Sequence, residues 1–140
     1  KPMSSAGVIK NYKQAKLFRK YYNKYSVKVT EGNLPEKFVY FPLHLQPELT
    51  TSTLGGRYAD QLKAIEAVSR MIPYDWKIIV KEYPKQGFLH RGINFFNRLF
   101  ALDKVIYASM DSNTYMLLRK SNFTATITGT IGWESITGLK

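Results

Sequence analysis

The chain has 140 residues, 44% of them hydrophobic and 14% aromatic; that suffices for one domain with its own core and is too apolar for a disordered segment. There is no cysteine, which excludes disulfides, thiol catalysis and thiolate metal sites and fits a cytosolic setting. A formal net charge of +11 points to an anionic partner, whether nucleic acid, a phosphorylated small molecule, an acidic glycan or an anionic membrane surface.

No apolar run reaches the roughly eighteen residues of a membrane span, and residues 1–10 lack the apolar segment of a secretion signal. The chain opens at Lys1 without an initiator Met and stops at Lys140 directly after a helical pattern. We expect a piece of a longer protein.

Residues 1–9 read as a flexible lead. From about Lys10 to Tyr25, Leu17, Phe18, Tyr21, Tyr22 and Tyr25 fall one helical turn apart and predict a helix with an apolar stripe. Lys10, Lys13, Lys16, Lys20 and Lys24 occupy its remaining surface. That surface reads as a solvated basic face or as a helix for nucleic acid or a membrane surface. Gly32 to Lys37 is a turn region, so residues 1–37 form an amino-terminal basic helix and linker, and residues 38–140 form the main domain.

Phe38 to Leu43 is a compact apolar run and the expected first strand, with Pro42 suited to its end. His44-Leu-Gln-Pro-Glu48 follows, then a Thr/Ser stretch ending in Gly55-Gly56. Tyr58, Leu62, Ile65, Val68 and Ile72 mark a helix over Arg57 to Ile72, stopped by Pro73. Trp76 to Val80 is the second strand, with Lys81-Glu-Tyr-Pro84 at its end. Ile93, Phe96 and Phe100 mark a helix, and Val105 to Ala108 a short third strand. Asp111 or Ser112 is the candidate cap of a further helix holding Tyr115 and Leu118.

The last stretch, Phe123 to Leu139, reads as a buried strand over Thr124 to Thr128, a tight turn at Gly129 and a helix starting near Thr130. Thr128 and Thr130 can cap that helix. Its unpaired N–H groups and partial positive charge make the turn a candidate phosphate seat; the alternative is an ordinary turn without a ligand.

Strand and helix alternate throughout, which predicts an α/β fold: a Rossmann-like parallel sheet of about four strands with helices on both faces. The order expected for it is 3-2-1-4. Ligands of such sheets sit beyond the carboxyl ends of the strands where the order reverses, here between the first and fourth. The clusters after strands one, two and four would therefore open on one rim. The Thr128-Gly129-Thr130 turn would hold a phosphate through backbone N–H groups, Lys81 would add a charge and Tyr83 a hydroxyl. Glu48 would serve as general base, and His44 as acid, base or phosphate donor. Each has a structural alternative: His44 as a satisfied core histidine, Lys81-Glu82 as surface charge, Glu134 as a helix cap or ion-pair partner, Trp133 as core packing. His44 and His90 show no metal-ligand spacing, and there is no nucleophile elbow, P-loop or dinucleotide glycine motif.

His44-Leu-Gln-Pro-Glu48, Lys81-Glu-Tyr-Pro84 and Thr128-Gly-Thr-Ile-Gly-Trp-Glu134 resemble the motif series of the bacterial capsule polysaccharide biosynthesis family. The span from about Phe38 to Lys140 resembles its donor-side Rossmann-like half, similar to GT-B glycosyltransferases including the Kdo transferases. The resemblance implies a nucleotide-sugar donor, CMP-linked in the related transferases, held over the Thr128–Thr130 turn. It also implies a glycan or glycolipid acceptor and a second domain of the same chain. No organic cofactor and no metal are expected. Gln46, Pro47 and Glu48 carry over to the Gln-Pro-Glu signature, and Lys81, Glu82, Tyr83 and Pro84 to a Lys-Glu-His-Pro signature. Tyr83 departs from it, because a tyrosine donates a hydrogen bond but brings no positive charge; this implies a different donor or a weaker activity.

The expectation is a cytoplasmic protein, at the inner face of the membrane, that binds the donor and does not bind nucleic acid. The competing readings are a basic nucleic-acid-binding module and a non-catalytic component of polysaccharide export.

Overall fold

The structure, a computed structural model, describes residues 5–44, 60–84, 86 and 92–127. Four strands form one all-parallel sheet: β1 (Phe38–Pro42), β2 (Lys77–Lys81), β3 (Val105–Ala108) and β4 (Phe123–Thr124), in the spatial order β3-β2-β1-β4. Tyr40 faces Ile79 of β2 on one side and Thr124 of β4 on the other. This is the α/β architecture that the alternation predicts, in the expected strand order.

Every residue of β1 is buried, as a central parallel strand covered on both faces requires. Side chains alternate between the faces. Phe41, Leu43, Ile78, Val80 and Tyr107 point to one, where α1 (Ser5–Tyr25), α2 (Gln61–Met71) and α3 (Ile93–Phe100) pack through Phe18, Tyr21, Tyr22, Leu62, Ile65, Phe96 and Leu99. Phe38, Tyr40, Ile79 and Ala108 point to the other, against Leu117 and Leu118 of α4 (Thr114–Lys120) and Val29. The first face is rich in rings: Phe96 lies within 6.1 Å, centroid to centroid, of Phe18, Tyr21, Phe95, Phe100 and Tyr107.

Local signals place the helices. The Asp60 carboxylate accepts the Leu62 N–H at the start of α2, and Pro73 follows its end. Arg98 of α3 reaches Asp60 and Glu66 at 2.9 Å each, tying α3 to α2.

Several boundaries differ from expectation. The amino-terminal helix begins at Ser5 rather than near Lys10, so residues 5–9 are not a loose lead. Gly7 and Asn11 extend the half-buried side of the same helix, and no proline interrupts it. α4 is capped by Asn113, whose side chain accepts the Met116 N–H at 3.0 Å, and not by Asp111 or Ser112. Asp111 instead accepts the Ser109 hydroxyl and pairs with Lys28. β2 starts one residue later than expected because Trp76 closes a turn onto the Pro73 carbonyl.

Among the described residues, which here end at Ile127, the expected buried strand over Thr124 to Thr128 is instead a two-residue pairing at the sheet edge, with Phe123 exposed and stacked on Trp76 and Thr124 half-buried. Pro42 supplies the reason. The Ala125 N–H still reaches the Tyr40 carbonyl, but the next rung would need an N–H from Pro42, which has none.

After α1 the chain crosses to the outer edge of β3. The Val27 N–H donates to the Tyr107 carbonyl and the Ser109 N–H to the Val27 carbonyl, so one bridge covers an otherwise open edge.

Candidate functional site

The carboxyl ends of β1 and β2 stay in register past the strands, where the Leu43 N–H donates to the Lys81 carbonyl at 2.8 Å. One residue further, the backbone of His44 is clamped by the side chain of Gln61, the first residue of α2. The His44 N–H donates to Gln61 Oε1 at 2.7 Å, and Gln61 Nε2 donates to the His44 carbonyl at 3.0 Å. Gln61 is buried, and a buried amide holds its place only when both of its ends are satisfied. The clamp fixes the point at which the chain leaves β1.

The half-buried His44 ring reaches across the gap where the strand order reverses. Its Nε2 lies 2.9 Å from Thr126 Oγ1, in the segment leaving β4. The rims of β1 and β4 are thus joined by a side-chain hydrogen bond at the topological switch point, two residues before Thr128. Gln46, Glu48, Thr128, Gly129, Thr130 and Glu134 lie outside the described residues, as do Trp133 and His90.

At the end of β2, Lys81 and Glu82 are both buried, so neither is a surface charge. They turn to opposite faces of the sheet. Glu82 enters the ring-rich face, where Oε2 accepts the Tyr107 hydroxyl at 3.3 Å and Oε1 accepts the Tyr83 N–H at 3.1 Å. Lys81 enters the α4 face, and its Nζ donates to Thr114 Oγ1 at 2.6 Å. Thr114 also bonds the buried Tyr40 hydroxyl, whose pKa burial pushes up to about 12 against that bond. Tyr83 stands partly exposed on the rim, its carbonyl accepting the Gln86 N–H.

Lys81 is electrostatically costly as it stands. Burial lowers its pKa, and the more distant Asp111 carboxylate opposes that only in part. Among the described residues its ammonium makes no ion pair and one hydrogen bond, although it has three N–H groups to place. A buried cation with so few acceptors is stabilised by any anion that comes within reach.

His44, Lys81 and Tyr83 therefore share one end of the sheet, and Glu82 is brought to the same end but faces away. Sequence reasoning missed Gln61, Thr114 and Thr126. Thr126 was open to detection, since the Thr124, Thr126, Thr128 alternation puts all three on one side of an extended chain. Gln61 and Thr114 carry no such signal, because each meets its partner only through the packing of a helix start against a strand end.

No protein-family model, no curated protein and no solved structure significantly matches this chain.

Proposed function

We propose that this chain is the donor-binding half of a glycosyltransferase acting in capsule or surface polysaccharide synthesis, with a nucleotide sugar bound at the carboxyl ends of β1, β2 and β4. The observation that carries the reading is the contact of His44 with Thr126 at the switch point, with the under-paired Lys81 one strand away. Open parallel sheets bind phosphorylated ligands at that position.

In the transfer, the bond between the sugar anomeric carbon and the donor phosphate oxygen breaks, and a bond to an acceptor hydroxyl oxygen forms. The leaving nucleotide gains negative charge at its phosphate. Lys81 offsets it with a charge already stripped of water, and the His44 imidazole donates a hydrogen bond to it. Glu48 accepts the acceptor proton, and the Thr128–Thr130 turn cradles the phosphate, roles that rest on the sequence alone. Tyr83 contributes a neutral donor at the rim. The acceptor and a second domain complete the reaction at the cytoplasmic face of the membrane.

Titration of the chain with CMP, UDP and their sugars, followed by amide NMR, tests the reading. We expect shifts at His44, Lys81 and Thr126, and Lys81→Met weakening the preferred nucleotide by about tenfold or more, the loss of one charge-assisted contact to phosphate. Absence of binding by every nucleotide, or an affinity indifferent to Lys81→Met, removes the proposal.

A further inference from the structure

The sheet and its rim leave most of α1 unused. This helix carries Lys10, Lys13, Lys16, Arg19, Lys20 and Lys24 and no carboxylate. Its half-buried positions, among them Gly7, Asn11, Gln14, Phe18, Tyr21, Tyr22 and Tyr25, form one side at about 100° per residue. The same geometry puts Lys13, Lys16, Lys20 and Lys24 on the opposite side, with Ile9 among them and Leu17 at their edge. Val8 and Tyr12 flank that side next to Arg19. None of the six cations makes an ion pair among the described residues, although Lys24 Nζ lies 4.9 Å from the centre of the Tyr25 ring, and Val8, Ile9, Tyr12 and Leu17 are 45–70% exposed.

Two features of this face have to be explained together: unpaired positive charge, and apolar side chains between and beside the charges. A soluble polyanion engages the first and gains little from the second: a nucleic acid can stack a base on Tyr12, but Val8, Ile9 and Leu17 offer it nothing. A bilayer surface with anionic lipids engages both, since headgroup phosphates attract the ammonium groups while apolar side chains enter the boundary with the acyl chains. Lysine stems suit this arrangement, lying along the apolar layer with the charge in water. No helix among the described residues is long and apolar enough to cross a membrane, so the proposal concerns contact with the surface.

We propose that the outward face of α1 seats this protein on an anionic bilayer surface, with Lys13, Lys16, Lys20 and Lys24 over the headgroups and Val8, Ile9, Tyr12 and Leu17 dipping into the boundary. This deepens the membrane contact expected from the sequence. It is independent of the donor site, so vesicle binding and nucleotide binding can each fail without the other.

The test is cosedimentation of the whole chain with vesicles. Phosphatidylcholine vesicles containing about a third phosphatidylglycerol bind it at least about tenfold more tightly than phosphatidylcholine alone, and release it as salt rises from about 0.05 to about 0.5 M. Lys13→Glu/Lys16→Glu/Lys20→Glu loses the binding. Ile9→Ser/Tyr12→Ser weakens vesicle binding by about tenfold and leaves binding to soluble dextran sulfate unchanged. Circular dichroism confirms that both variants stay folded; should the charge variant unfold, the serine variant decides alone. Equal binding to neutral and anionic vesicles, or sedimentation with neither, overturns the proposal. So does vesicle binding unmoved by Ile9→Ser/Tyr12→Ser, which would mark a general polyanion surface such as one for nucleic acid.

Discussion

The two faces of the sheet end in neighbouring residues of opposite charge, and they differ in how those charges are satisfied. On the face of α1, α2 and α3, rings pack on rings and the strand end delivers Glu82 to two hydrogen-bond donors, Tyr107 and the Tyr83 N–H. On the face of α4 the packing is mostly aliphatic, and the strand end delivers Lys81 to a single hydroxyl on Thr114. A closed, satisfied face holds a domain together. A face carrying a desolvated, under-paired cation gives up some stability at a place where an anion recovers it, as sites in folded proteins commonly do.

The largest effect that would test this contrast is on the ring-rich face. Phe96→Ala removes a fully buried ring touching five others and should cost about 3–5 kcal/mol in urea unfolding. A loss below about 1 kcal/mol would mean that this face is not the structural half.

The next is a pH effect on the α4 face. The folded pKa of Tyr40 is raised from 10.0 to about 12, so the folded state keeps its proton where the unfolded chain has lost it. Stability linked to Tyr40 is therefore complete below pH 10 and is lost as pH rises to about 12, a fall of about 2–3 kcal/mol. Lys81 works in the opposite sense. Its folded pKa is lowered, so its cost is full below that pKa and disappears as pH climbs to the ordinary 10.5. Unfolding followed against pH in the wild type and in Tyr40→Phe separates the two, and the tyrosine variant should keep only the upward limb. An alkaline fall that survives in Tyr40→Phe would show that the Tyr40 hydroxyl is not the group responsible.

The smallest expected change is the stability of Lys81→Met. The substitution gives up one hydrogen bond and relieves a buried charge of similar magnitude, so the net should lie within about 1 kcal/mol of zero in the same urea assay. A destabilisation of about 3 kcal/mol or more would put Lys81 alongside Glu82 as a structural group and erase the contrast between the faces.

Much of this was legible in the chain. Apolar runs bounded by Pro, Gly and polar clusters located β1, β2 and β3 to within a residue, because a strand buried on both faces has no room for polar side chains. The strand–helix alternation carried the parallel topology, since parallel neighbours need a crossover. It also told that His44 and Lys81-Glu82 would share one rim. The true cap of α4 was harder to find: Asp111, Ser112 and Asn113 are all competent, and the choice depended on Ser109 and Lys28 engaging Asp111.

The sequence by itself determined where the strands lie, that they run parallel and which end of the sheet bears the polar residues, because periodicity and connection length are local properties of the chain; the order β3-β2-β1-β4, expected but not derivable from those signals, is a property of the packed sheet. Only the tertiary structure decided that Lys81 and Glu82 part to opposite faces with unequal partners, that Gln61 clamps His44, and that Pro42 cuts β4 short. Each of these depends on a hydrogen-bonding group that packing brings near, or withholds, from far along the chain.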